Sequence, residues 1–380
     1  MLFGRGGTGG IINRVTKKAT IGENFGSFDL GADSFGASDF AVDYNMELGD
    51  NSAIRLNAHV DALENHRDFY DGDRTGFNPT LRVELSDSTT LDLSYEYADH
   101  ERFIDRGIPT ANGVPVEALK NVVFGTSDIN ITTLEADIFR GILSTELSDT
   151  SKAVFSITSS EFEKMYQNLY ASGYDLASNV VTLDGYRDPT ERENLIISGN
   201  FINEFEIGSS THTLLVGVER VDTDNSNHRF DSNWSTSGND KESFNVSRPL
   251  NISTSSAGVA TSVNFNTKLK SKTTSDIEVT SIYIQDQIEV SEDLQILIGG
   301  RLDQFDITVD DIKAGTSQSR EDDEFSPRAG IIYKPAENMS WYFSYSESFL
   351  PRSGEQYKKL TASSAALDPD VYENMEIGIN

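Results

Sequence analysis

The sequence predicts an all-β fold, a transmembrane antiparallel β-barrel, on three observations. Apolar and polar residues alternate at period two from about residue 24 to the last residue, while helical periodicity is nearly absent. Short polar turns alternate with long polar excursions, which puts every long connection on one side of the wall. No stretch of about 18 apolar residues occurs, so a transmembrane helix is excluded, whereas a spanning strand needs only alternate apolar side chains. A soluble β-sandwich would alternate in the same way, but it usually has shorter strands and loops shared more evenly between its ends.

Taken in order, a first strand is expected from Asn24 to Gly31 and a second from Phe40 to Leu48. In Ile54-Arg55-Leu56-Asn57-Ala58-His59-Val60 the even positions are apolar and the odd ones polar, so one face meets hydrocarbon or core and the other water. Leu81 to Leu85 follows, then Leu91, Leu93, Tyr95 and Tyr97 alternating with Asp92, Ser94 and Glu96. Further strands fit Phe139 to Leu147, Ala153 to Ile157, Leu195 to Phe205, Leu214 to Val218, Ile282 to Ile288, Leu294 to Leu302, Ala329 to Tyr333, Trp341 to Tyr345 and Met375 to Ile379. The total is about fourteen, many of about ten residues, which suits a tilted spanning strand. Turns are expected at Gly49 to Asn51, Ser86 to Ser88, Ser148 to Thr150, Gly208 to Ser210, Ser291 to Asp293 and Pro335 to Asn338. The long excursions run from Glu64 to Asn78, Arg106 to Ile131, Asn168 to Glu191, Asp222 to Ile277 and Asp310 to Glu324.

Composition narrows the function classes. The 380 residues carry 61 Asp+Glu against 31 Lys+Arg, a formal charge of −30, which argues against nucleic acid as a partner. With 10% aromatic residues the chain is too ordered in composition for a disordered acidic tail. Zero Cys excludes disulfides, thiolate metal sites and cysteine nucleophiles. The residues after Met1 lack the basic region and apolar core of a secretory signal.

Chemical motifs are weak. Gly4-Arg5-Gly6-Gly7-Thr8-Gly9 has dinucleotide-site spacing, but no strand precedes it and a β-branched run follows, so no nucleotide site is expected. Asp71 to Gly76 begins like a calcium loop, yet its twelfth position is Arg82 where a bidentate Glu is required. The five His lack a zinc spacing, and His59 falls on the polar face of a strand. With no G-x-S-x-G elbow and no inferable triad, an enzyme reading finds no support, and neither a resident metal nor a cofactor is expected.

Two segments point to a family. Met1 to Lys18, with Gly4, Arg5, Gly6, Gly9, Gly10 and Asn13 at the key positions, resembles the end of the plug domain of TonB-dependent outer-membrane receptors, where the chain leads into the first barrel strand. Phe325-Ser326-Pro327-Arg328-Ala329-Gly330-Ile331-Ile332-Tyr333-Lys334-Pro335, followed by Tyr345 to Phe349, resembles a hairpin of siderophore receptors. Tyr372 to Gly378 and the strand Ile282 to Gln287 extend the match. The Gly6-Gly7 pair and Leu350 to Gln356 look most like the branch for catecholate siderophores.

The resemblance implies a division into 1–20, the end of a plug, and 21–380, the N-terminal part of a barrel that has 22 strands in the family. On this reading the chain is an internal fragment. It also implies energised import, in which a ferric siderophore is captured above the plug and admitted when TonB, acting through the N-terminal region, pulls on the receptor. Iron then travels as a chelate, and the partners are that chelate, TonB and outer-membrane lipid. Guanidinium groups meet oxyanions and aromatic rings cover the chelate's rings, so the expected ligand contacts are Arg102, Arg106, Tyr186, Arg187, Arg229, Trp234, Arg352 and Tyr357. The alternatives are a passive porin or adhesin barrel, and a receptor of the same family for haem, cobalamin or carbohydrate.

Overall fold

The computed structural model describes residues 13–246, 262–336, 338–353 and 357–379. Seventeen strands run in chain order as β1 (Phe25–Ala32), β2 (Ser38–Gly49), β3 (Ser52–Glu64), β4 (Asp71–Ser86), β5 (Thr89–Phe103), β6 (Thr110–Ala111), β7 (Val114–Pro115), β8 (Ile131–Ser148), β9 (Ser151–Asp175), β10 (Val180–Ile207), β11 (Ser210–Trp234), β12 (Lys241–Asn245), β13 (Val263–Ser291), β14 (Leu294–Asp311), β15 (Thr316–Ala336), β16 (Met339–Leu350) and β17 (Asp370–Ile379). Fourteen of them form one antiparallel wall in sequence order, from β1 through β5, then β8 to β11, then β13 to β17. β12 pairs with the upper part of β10, and β6 with β7 in a small separate hairpin. Among the described residues β1 and β17 are the two ends of the wall and do not pair with each other.

Two-residue turns join the strands at one rim, each at the position the sequence predicts, as at 50–51, 87–88, 149–150 and 292–293. Beside that rim an apolar band covers one face. Phe28, Val60, Phe77, Phe139, Phe155, Ile197, Val218, Ile284, Leu302, Phe325 and Trp341 are among its exposed side chains. Such a face needs hydrocarbon, and its aromatic content fits a bilayer boundary.

Four of the five long excursions, all but 106–131, prove to be mostly strand rather than loop. β9 has 25 residues, β10 has 28, β11 has 25 and β13 has 29. At about 3.3 Å per residue, a strand of that length rises well beyond a bilayer core of about 30 Å, even when tilted. The extensions carry polar residues on both faces, interrupted where a connection packs on them. They therefore lack the period-two signal, although their backbone ladders continue, with register shifts near Thr182, Arg229 and Asp231.

These extensions also account for the acidic charge. On the face that carries the apolar band, Asp137, Glu161, Glu193, Asp224 and Asp276 lie opposite one another across five neighbouring strands. A second row holds Asp99, Glu135, Glu163 and Glu191. The opposite face, called here the lumen face, carries many of the cations.

Two apolar clusters brace the upper wall. Connection 104–130 packs Leu119 and Phe124 against Leu169, Val181, Leu183, Trp234, Phe244 and Phe265. Within connection 351–369, Leu360 sits on Val221, Ile277, Val279, Phe305, Ile307 and Val309. The connection's short helix α1 (Ala362–Ala365) is capped by Thr361 and tied to the wall by Arg320, which donates to the Ala365 carbonyl at 2.8 Å.

Candidate ligand site on the lumen face

Low in the lumen, the described part of the N-terminal segment lies along β2 to β5. Its cations find acids there: Arg14 pairs with Glu96, Lys17 with Asp43 at 2.7 Å and Lys18 with Asp92 at 2.9 Å. The buried Asn45 side chain clasps the segment, accepting from the Thr20 backbone N–H at 2.9 Å and donating to the Thr20 and Glu23 carbonyls. Of the six N-terminal motif positions only Asn13 is described. Gly4, Arg5, Gly6, Gly9 and Gly10 lie outside the described residues.

Above this the lumen face changes character. On β9, Lys164, Tyr166, Asn168 and Tyr170 alternate onto one face. Arg106 reaches them from connection 104–130. Its Nη1 donates to the hydroxyls of Tyr186 at 2.8 Å and Tyr166 at 3.3 Å, and to Asn168 Oδ1 at 3.3 Å. The guanidinium also lies 5.3 Å from the centroid of the Tyr170 ring and 6.0 Å from those of Tyr166 and Tyr186. Burial works against the Arg106 charge, but the Tyr186 and Tyr166 hydroxyls more than offset it, and its pKa stands above the ordinary value.

Arg229 on β11 covers the same Tyr186 ring at 4.2 Å while its guanidinium holds Asp188, with Nε to Oδ1 at 2.7 Å. One turn of the lattice away, Arg192 donates to Asn225 and sits 5.6 Å from the Tyr357 ring. Tyr357 adopts a φ of 51°, a left-handed conformation that costs an L-residue roughly 1–2 kcal/mol. Its ring packs 6.1 Å from Phe305 and its carbonyl accepts from Ser275 Oγ, contacts that offset the strain. Beside it, burial pushes the Lys358 pKa down. Asp188 opposes that shift, while the neighbouring charges of Lys164, Arg229 and Arg192 reinforce it. Asp188 thus faces both Arg229 and Lys358.

Of the residues expected to contact a ligand, the structure brings together Arg106, Tyr186 and Arg229, with Tyr357 next to them through Arg192. Arg102, one residue before the end of β5, is on the same face but lines a different cavity. Arg187 alternates onto the face opposite Tyr186 and donates to Asn266 at 2.6 Å. Trp234 is fully buried, 5.7 Å from the Phe244 ring, in the apolar cluster packed by connection 104–130. Arg352 is engaged by the entrance to β17, donating to the Asp368 carbonyl and pairing with Asp370 at 2.7 Å. Sequence reasoning missed Tyr166, Tyr170, Arg192 and Lys358. The alternation of Tyr166 and Tyr170 along β9 was the available signal, hidden because lumen-facing tyrosines there alternate with Met165 and Leu169 rather than with polar residues.

A profile of the family described as TonB dependent receptor-like, beta-barrel, matches residues 4–380. The chain belongs to this family of TonB-dependent receptor barrels. Its fold and family place it in the outer membrane of Gram-negative bacteria. Among curated relatives of the receptor chain is a probable TonB-dependent siderophore receptor, PiuA, of Acinetobacter baumannii, 26% identical over 406 aligned positions that cover 99% of this chain and 54% of that protein. The metal-pseudopaline receptor CntO of Pseudomonas aeruginosa is 23% identical over 100% of this chain and 52% of its own length. The chain therefore spans about half the length of these relatives. In fold it is similar to the crystal structure of the Acinetobacter baumannii siderophore receptor PiuA, with a TM-score of 0.83 at 22% identity, covering 99% of this chain and 57% of that one. It is also similar to the closed form of the ferric-catecholate import receptor Fiu of Escherichia coli, with a TM-score of 0.80 at 18% identity, covering 100% and 59%.

Proposed function

We propose that this chain is the ligand-facing wall of an outer-membrane receptor that imports a ferric siderophore by TonB coupling, the cargo being an anionic catecholate chelate. The observation that carries the reading is the convergence of Arg106, Arg192, Arg229 and Lys358 with Tyr166, Tyr170, Tyr186 and Tyr357 on the lumen face of an otherwise acidic chain. Catecholate oxygens carry negative charge and would accept from the guanidinium N–H groups, while the tyrosine rings would cover the flat catechol faces. Relatives whose names carry siderophore receptor support the cargo class. No bond of the cargo need break, so the wall binds and orients while the energy comes from TonB.

The N-terminal segment seated by Arg14, Lys17 and Lys18 favours this reading over a passive pore, since it is read as the end of a plug that closes the lumen. The test is uptake of radiolabelled ferric tris-catecholate by iron-starved cells. Uptake that needs both this receptor gene and a functional TonB supports the proposal. Uptake that persists without TonB, or none at all, overturns it.

A further inference from the structure

Arg106 enters the tyrosine cluster from a connection and not from a strand, so something other than the sheet ladder has to aim it. Its hydrogen-bond partners are neutral, two tyrosine hydroxyls and an amide, and no ion pair among the described residues fixes its direction. The backbone that carries it is held on both sides instead. The Ile104 N–H donates to the Asn130 carbonyl at 2.8 Å, and the buried Asn130 amide donates back to the Ile104 carbonyl at 3.0 Å. Asp105 Oδ1 accepts from the Gly107 N–H at 2.9 Å, closing a turn with Arg106 at its centre and Gly107, at a φ of 78°, as its exit.

The other oxygen of Asp105 belongs to Arg67. Asp105 Oδ2 accepts from Arg67 Nε at 2.5 Å, and the pair is mostly shielded from solvent. Arg67 comes from the 65–70 tip between β3 and β4. It also donates from Nη1 to the Lys120 carbonyl and from Nη2 to the Val122 carbonyl, the latter at 3.2 Å, so one guanidinium ties residue 105 to residues 120–122 of the same connection. We propose that Arg67 is a positioning residue for the ligand site: acting through Asp105, it fixes the turn that aims Arg106 at Tyr166 and Tyr186. The inference rests on the functional reading above and adds to it a residue that acts at one remove from the ligand.

Arg67 is itself anchored. Asn65 Oδ1 accepts from the Arg67 N–H at 2.7 Å, and the Tyr70 N–H donates to the Arg67 carbonyl at 3.3 Å. Phe69 of the same tip sets its ring edge-on to the buried Phe103, with 6.3 Å between centroids, so an apolar contact and an ion pair dock the tip on the start of the connection together. Without the guanidinium, Asp105 keeps only its bond to Gly107, and the turn is free to swing about it. Apparent affinity scales with the fraction of receptors in which Arg106 faces the tyrosines. A fall of that fraction to roughly 10–20% weakens binding roughly 5- to 10-fold without removing any ligand contact.

The test is a double-mutant cycle on the detergent-solubilised receptor, taken at the full length its gene encodes, read by fluorescence quenching with ferric tris-catecholate. R67M should weaken affinity roughly 5- to 10-fold on its own, and by no more than about twofold when R106A is already present, because a residue that acts through Arg106 then has nothing left to aim. D105N keeps an acceptor for the Gly107 N–H but loses the ion pair, and it should repeat the R67M result in both backgrounds. Heat-modifiable gel mobility reports whether each barrel is folded, and D105N carries the cycle if R67M fails that control. Affinity within about twofold of wild type for either folded single variant overturns the inference and leaves the functional reading intact. An equal loss in the R106A background overturns it as well, since general loosening of connection 104–130 would produce that result. Binding by R106A as tight as that of wild type, or no saturable binding to wild type, overturns the functional reading and the inference with it.

Discussion

Replacing Arg106 by Ala removes the cation around which Tyr166, Tyr170 and Tyr186 are arranged, and its effect on binding can be worked from the structure. Its Nη1 is shared by two tyrosine hydroxyls and an amide, the nearest at 2.8 Å, so the other N–H groups remain for a ligand oxygen. A hydrogen bond to a charged group is worth about 1.5–3 kcal/mol. At about 1.4 kcal/mol per decade, losing one such bond weakens binding roughly 10- to 150-fold. The tyrosine hydroxyls released by the substitution face the lumen and rehydrate, which keeps the effect on folding small. R106K should fall between, since it keeps the charge but loses the planar fork. The assay is quenching of intrinsic fluorescence by ferric tris-catecholate, with heat-modifiable gel mobility as the control for the barrel. Affinity within twofold of wild type for a folded R106A receptor would refute the assignment.

Other perturbations read different parts of the account. Lys358 titrates below the ordinary lysine range, so affinity for an anionic chelate should fall as pH rises through that lowered value; K358M should flatten this limb of a binding-against-pH curve. Arg301 is buried between Asp303 and Glu219, at 2.8 and 2.7 Å, so R301M strands a fully buried carboxylate and should cost about 3–5 kcal/mol, seen as a lower barrel melting temperature. Ile284 belongs to the exposed apolar band, and I284R should destabilise the folded barrel in lipid by about 2–4 kcal/mol if that site lies near the midplane. R352A should leave chelate affinity within twofold in the same fluorescence titration, because that side chain is already engaged by Asp370 and the Asp368 carbonyl.

The wall was legible wherever one face meets lipid. Ile54 to Val60, Leu91 to Tyr97 and Trp341 to Tyr345 announce themselves through alternation, and the two-residue turns stand where Asp, Ser and Asn cluster. Legibility failed where water wets both faces. Residues 168–191 and 222–277 read as loops, although β9, β10, β11 and β13 carry the ladder through most of them. Tyr166 and Tyr170 were hidden for another reason, because Met165 and Leu169 on the opposite face leave this stretch of β9 without an apolar-polar alternation. Arg106, Tyr186 and Arg229, singled out by residue type as oxyanion partners, lie together on the lumen face. Trp234 and Arg352 share that chemistry, but burial against Phe244 and pairing with Asp370 are tertiary facts that no local pattern encodes.

The central claim is that the cation and tyrosine cluster on the lumen face holds a ferric chelate. Anomalous diffraction at the iron edge, from crystals of the receptor soaked with ferric tris-catecholate, tests it most directly. The account predicts an iron peak in the lumen, within reach of Arg106, Tyr186 and Arg229 through the chelate's oxygens. An ordered iron peak remote from these side chains, or a saturated crystal with none in the lumen, would contradict it.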